Sequence, residues 1–272
     1  MLQPSPSHPS HSSHPLPTVL ESALRHERGP LVVLALCAAA AWAWIVVMAR
    51  DMYGPMTGAS AWMMTLTWDV PHLLLLWAMW AVMMGGMMLP SASPLLLLYG
   101  FVVRKAGYDT AARQVYALAA GYLSVWTIFS LGATVLQRLL ASRLVISPMM
   151  ETTSAHAGAL LLLVAGVYQL TPLKQACLRT CQAPLRFLMK RRRTGIARAF
   201  RLGIEHGAHC VGCCWTLMLL LFVGGVMNLA AIAAVTTFVT LEKLGLLGVQ
   251  SARLSGALLI LAGLWKLTHQ SN

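Results

Sequence analysis

Residues 71–103 read PHLLLLWAMWAVMMGGMMLPSASPLLLLYGFVV, without one Asp, Glu, Lys or Arg in the run. A helix of that length would be about 50 Å long, well beyond the roughly 30 Å hydrocarbon core of a bilayer. Such a segment crosses a membrane only if it tilts, kinks or breaks. Pro90 and Pro94 mark the place. Each removes a backbone donor and crowds the carbonyl one turn back.

Other apolar runs flank it: 31–49 before, and 116–140, 156–173, 208–223, 227–241 and 254–267 after. Of the 272 residues, 58% are hydrophobic and 10% charged. Soluble domains sit near half apolar and a quarter charged. The excess lies in blocks of bilayer-crossing length. The expected fold is therefore all-α, a polytopic transmembrane helix bundle over 31–269 with about seven spans, the second of them (71–103) kinked. Gly224 and Gly225 permit a tight reversal between the fifth and sixth spans. Were 208–241 one kinked helix instead, there would be six spans. The first 30 residues hold Pro, Ser and His and no apolar core, so no cleavable secretory leader is expected. There PSPSHPSHSSHP at 4–15 spaces His8, His11 and His14 three apart, but its prolines keep any helix from aligning the rings. Residues 1–30 are expected to be a disordered cytoplasmic tail rich in His, Pro and Ser.

The net charge of +12 could point to nucleic acid. The basic residues, however, lie between the apolar blocks. Place the N-terminus in the cytoplasm, and segments 1–30, 104–114, 174–206 and 242–253 are inside. All the Lys and Arg then fall inside except Arg50, Arg138, Arg143 and Lys266. That is the positive-inside pattern. The partner is a lipid bilayer, read as a bacterial inner membrane, and not nucleic acid.

Five of the six cysteines crowd into 177–214. Cys37, alone in an apolar run, reads as a small buried packing residue. In TPLKQACLRTC at 171–181, Cys177 and Cys181 are four apart and share a helix face. In GIEHGAHCVGCCW at 203–215, His206, Cys210 and Cys214 follow at i, i+4, i+8, with His209 and Cys213 alongside. All five fall on a stripe about 140° wide at 100° per residue. Both groups sit at the inner ends of neighbouring spans, so thiols and imidazoles can converge there. Soft thiolates select Cu(I), and thiolate–imidazole sets also suit Zn(II). Cu(I) is the first expectation and Zn(II) the second.

Methionine is the other soft donor, with sixteen in the chain. Met79, Met83 and Met87 recur at i, i+4, i+8 in the second span, below His72, and Met218 lies one turn beyond Cys214. A thioether carries no charge penalty in a bilayer, so such a ladder could pass a soft monovalent ion. It could equally be adaptable apolar filler. Glu242 and Lys243 read as an interfacial pair, and Asn228 as a helix start or an interhelical hydrogen bond. There is no Walker loop, Rossmann fingerprint, GxSxG or HExxH in the chain.

The segments WAVMMGGMMLPSASP at 80–94, YQLTPLKQACLRTCQAP at 168–184, GIEHGAHCVGCCWTLMLLLFVGGVMN at 203–228 and LEKL at 241–244 resemble a bacterial family of predicted metal-binding integral membrane proteins of unknown function. The resemblance covers about residues 70–268. It implies metal binding and a membrane location and supplies no substrate or reaction.

The expected activity is the handling of Cu(I), in homeostasis, delivery or transport, together with a metal chaperone or another membrane protein. A non-enzymatic role is favoured. Two other classes stay open: a quinone-coupled membrane thiol oxidoreductase, and an assembly factor or scaffold with a structural metal. The cytoplasmic placement of the cysteines weighs against the first of these.

Overall fold

The computed structural model describes residues 28–54, 69–108, 110–143, 145–147, 152, 154–189, 195–246 and 250–269. The N-terminal histidines, the interhelical Met56, Met63, Met64, Met149 and Met150, and the basic run 190–193 lie outside the described residues. The described chain is helical, with a single bridge pairing of Ile146 with Thr152. In order the helices are α1 (Arg28–Met52), α2 (Val70–Lys105), α3 (Ala111–Ser142), α4 (Ala155–Leu170), α5 (Pro172–Gln182), α6 (Pro184–Met189), α7 (Ile196–Leu219), α8 (Leu221–Gly224), α9 (Leu229–Lys243) and α10 (Ser251–His269).

Four stretches are long and apolar enough to cross a membrane: α1, α2, α3 and Ile196–Gly224. Counting α4 and α5, bent by 66° at their junction, as one broken span makes five. The remaining expected spans are also helices. At 15 residues, however, α9 is shorter than the roughly 20 a crossing needs. Among the described residues, length and composition mark four or five crossings, so the expected count of about seven is not confirmed. Gly225, with φ of +90°, ends α8 and breaks the helix before α9. Asn228 then caps α9, its side-chain oxygen accepting from the N–H of Ala230 and Ala231.

α2 stays helical through all 36 residues despite its two internal prolines. A proline at i orphans the carbonyl at i−4. Here the indole N–H of Trp42 donates to the Gly86 carbonyl at 3.2 Å, and the Ser93 hydroxyl donates to that of Pro90 at 2.7 Å. Both freed acceptors are thus satisfied, which removes the main penalty for burying them.

The bundle is drawn together along seams of glycine. A Cβ on Gly203 would lie 2.1 Å from the Leu118 carbonyl oxygen, and one on Gly121 would lie 2.1 Å from that of Phe200. Without side chains at these points the backbones of α3 and α7 pack in near contact, as small residues allow between membrane helices. Gly166 and Gly256 do the same for α4 against α10. α2 packs on both α1 and α3. Its Met79, Met83, Met84, Met87 and Met88 are all fully buried in one core cluster with Cys210, Cys213, Cys214 and Met218.

Candidate metal centre

The two cysteine motifs meet, though not as simple ends of neighbouring spans. Thr171 takes extended backbone and accepts from the N–H of Lys174 at 3.3 Å, and Pro172 opens α5 at its first position. That combination starts a new helix rather than extending α4. Cys177 and Cys181 therefore ride on a separate helix set at 66° to α4. The stretch 174–206, expected as an inner loop, is largely α5, α6 and the first turns of α7. Because α7 already begins at Ile196, its motif lies mid-helix and not at an end.

Here α5 packs on α7, and Cys181 of α5 shares a cavity wall with His206 of α7. Cys213 and Cys214 each donate to the Cys210 carbonyl, at 3.1 and 3.0 Å. Gly212 is bare for a reason: a Cβ there would stand 2.8 Å from the Cys177 sulfur. The Tyr168 hydroxyl donates to the Gly212 carbonyl, and its ring packs edge-on against Trp215 at 5.3 Å. This pins α4 to the same turn of α7.

Of the two histidines, His206 is buried, its ring packed at a tilt against those of Tyr122 and Phe187, with its Nδ1 unpartnered. His209 is half-buried with its ring edge-on to Phe187. All five thiols are free. The motifs thus form neighbouring pairs: among the described residues, no group of three or more His, Cys, Asp or Glu is placed to hold a metal ion jointly. Cys37, expected buried, is exposed on α1. His72 is buried at the start of α2, where its N–H donates to the capping Asp69.

Several polar groups here escaped the sequence reading. Glu242 does not pair with Lys243. Its carboxylate binds Lys174 of α5 at 2.7 Å, with both side chains essentially out of solvent. Gln182 donates to the Glu242 carbonyl at 2.8 Å and closes the same junction. Lys243 points instead into the bundle and donates to the Cys210 sulfur at 2.8 Å. The Tyr122 hydroxyl contacts that sulfur at 3.0 Å and donates to the Met88 carbonyl at 3.2 Å. A cavity of about 320 Å³ opens beside the centre, lined by Ser91, Cys181, Gln182, His206 and Lys243 with apolar walls from α2.

A family model described as "PpoB2: Copper chaperone" matches residues 77–266. No curated protein matches, and no solved structure does. The match spans well over half of the chain and includes both cysteine motifs and the methionines of α2, so the chain belongs to this copper chaperone family.

Proposed function

We propose that the chain is an integral protein of a bacterial inner membrane that takes up Cu(I) at its Cys/His centre and hands it on. The carrying observation is that α5 sets the Cys177 sulfur against Gly212, in the turn of α7 that bears Cys210, Cys213 and Cys214, while Cys181 and His206 line one cavity. Cys177, His206 and His209 are the further donors of this centre. Soft sulfur donors select Cu(I). Paired thiols suit an ion that accepts low coordination numbers, whereas structural Zn(II) sites close four ligands around the metal. Copper is cargo here: thiols that are free and neighbouring can pass it between them by ligand exchange, with no change in its oxidation state.

The N-terminus and the centre's mouth face the cytoplasm in this reading, on the weight of the charge distribution. A reporter fused near residue 190 should read inside; an outside reading would place the thiols on the oxidising face and favour the oxidoreductase.

Metal analysis tests the centre. Full-length protein purified in detergent and loaded with Cu(I) should retain copper, and Cys213→Ser/Cys214→Ser should lose it. Equal copper in both proteins would sink the assignment. Wild type that holds no copper but reduces quinone at the expense of its thiols would put the oxidoreductase in its place.

A further inference from the structure

Lys243 is an unusual occupant of this core. Its ammonium lies 2.8 Å from the Cys210 sulfur, 3.4 Å from the Met88 sulfur and 3.1 Å from the Ser91 hydroxyl. Lys243 is 5% exposed, Cys210 1% and Met88 0%. An ammonium removed from water needs strong acceptors, and thioether sulfur is a weak one. Two sulfurs from different helices are poor company for a hard cation and good company for a soft one. The position is defined from three sides: Met88 and Ser91 by α2, Cys210 by α7, and the Tyr122 hydroxyl of α3 against the same Cys210 sulfur.

We propose that Lys243 Nζ occupies a Cu(I) position formed by Cys210 and Met88, and that loading copper there displaces the ammonium. This rests on the Cu(I) reading above and adds to it a thioether ligand and a built-in competitor. Lys243 also lines the cavity of about 320 Å³, so its head has adjoining space to swing into while α9 stays in place. The exchange balances: as Cu(I) arrives the Cys210 thiol gives up its proton to solvent, and the ammonium moves aside with its charge unchanged. The N–H to sulfur hydrogen bonds are replaced by copper–sulfur bonds, and no electron moves. Cys210 lies one turn from Cys213 and Cys214, whereas Met88 belongs to the methionine face of α2. The position therefore joins the thiol centre to that face.

The test uses the full chain in detergent under reducing conditions. Cu(I) affinity is read by competition with a chromophoric Cu(I) chelator, and the sulfur shell by X-ray absorption at the copper edge. Lys243→Leu removes the competitor and adds no donor, so Cu(I) should bind about tenfold more tightly or better, a change of about 1.4 kcal/mol. Lys243→Gln, which keeps a polar head, should shift affinity the same way and serves if the leucine variant does not fold. Adding Met88→Leu to either should cancel the gain and remove one sulfur from the copper shell. Unchanged or weaker binding on losing Lys243, or indifference to Met88, would overturn the inference while leaving copper binding by wild type intact. Wild type that binds no Cu(I) would sink the underlying reading as well.

Discussion

The cysteine centre and the methionine face of α2 both hold soft sulfur donors, those of α7 and α2 buried and those of α5 half-buried, and they are built differently. Around the cysteines the core is polar. Cys210 meets Lys243 and Tyr122, its carbonyl accepts from Cys213 and Cys214, and the Lys174–Glu242 pair braces the junction. Met79, Met83, Met84 and Met87 lie in the hydrophobic core cluster, and among the described residues only Met88 of the five α2 methionines has a sulfur that accepts a hydrogen bond. Burial and softness alone do not separate a site from packing. Polar and ionisable groups do, because each is costly in a core and persists only with a partner or a purpose.

The largest test of that contrast is the ion pair. Glu242→Gln would leave the Lys174 ammonium buried without its counter-charge. Removing one partner of a buried pair costs about 3–5 kcal/mol. The thermal unfolding midpoint in detergent should fall steeply. Lys174→Met/Glu242→Gln, which empties the site of charge, should recover most of the loss, since apolar replacement of both partners is often neutral or better. Copper binding separates the roles: if the recovered double variant still loads Cu(I) like wild type, the pair serves only to dock α5. If it folds and loads poorly, the pair also sets the spacing of Cys181 from Cys213. A single variant as stable as wild type would mean the polar centre is wetter than its burial indicates.

The reasons the sequence was only partly readable are local. Apolar runs mark helices because backbone groups in lipid must bond within their own segment. The prolines of α2 were readable as stress points, but their relief by Trp42 and Ser93 needed the neighbouring residues in space. The i, i+4, i+8 stripe carried Cys210 and Cys214 correctly inward with His206, because helical period alone sets which face they share. Adjacency makes Glu242 and Lys243 look like a pair, and they are not one. Neighbours on a helix point about 100° apart and do not face each other, so one reaches α5 and the other α7. Arg198, Arg201 and Glu205 looked like loop, yet they follow the helical start at Ile196. The spacing of Gly203 and Gly207 is the G-x-x-x-G pattern of close helix contact, a signal present in the sequence that could have announced the α3–α7 seam.

The smallest expected effect on stability belongs to the methionine face, and it tests the contrast most finely. Met79→Leu/Met83→Leu/Met87→Leu/Met218→Leu keeps volume and apolarity at four fully or almost fully buried positions. Such swaps usually cost under about 1.5 kcal/mol each. Folding and membrane yield should survive, and copper held at the cysteine centre should be unchanged, because no thiol moves. Passage of Cu(I) across a liposome membrane should fall, because leucine offers no donor atom between the Cys210–Met88 position and His72 at the far end of α2. Unimpaired passage would reduce the column to packing and leave the cysteine centre as a holding site that exchanges copper only at its mouth. Loss of copper from the centre itself would break the contrast from the other side. The thioethers would then be ligands of the resting metal, and the apolar environment around them would be no guide to function.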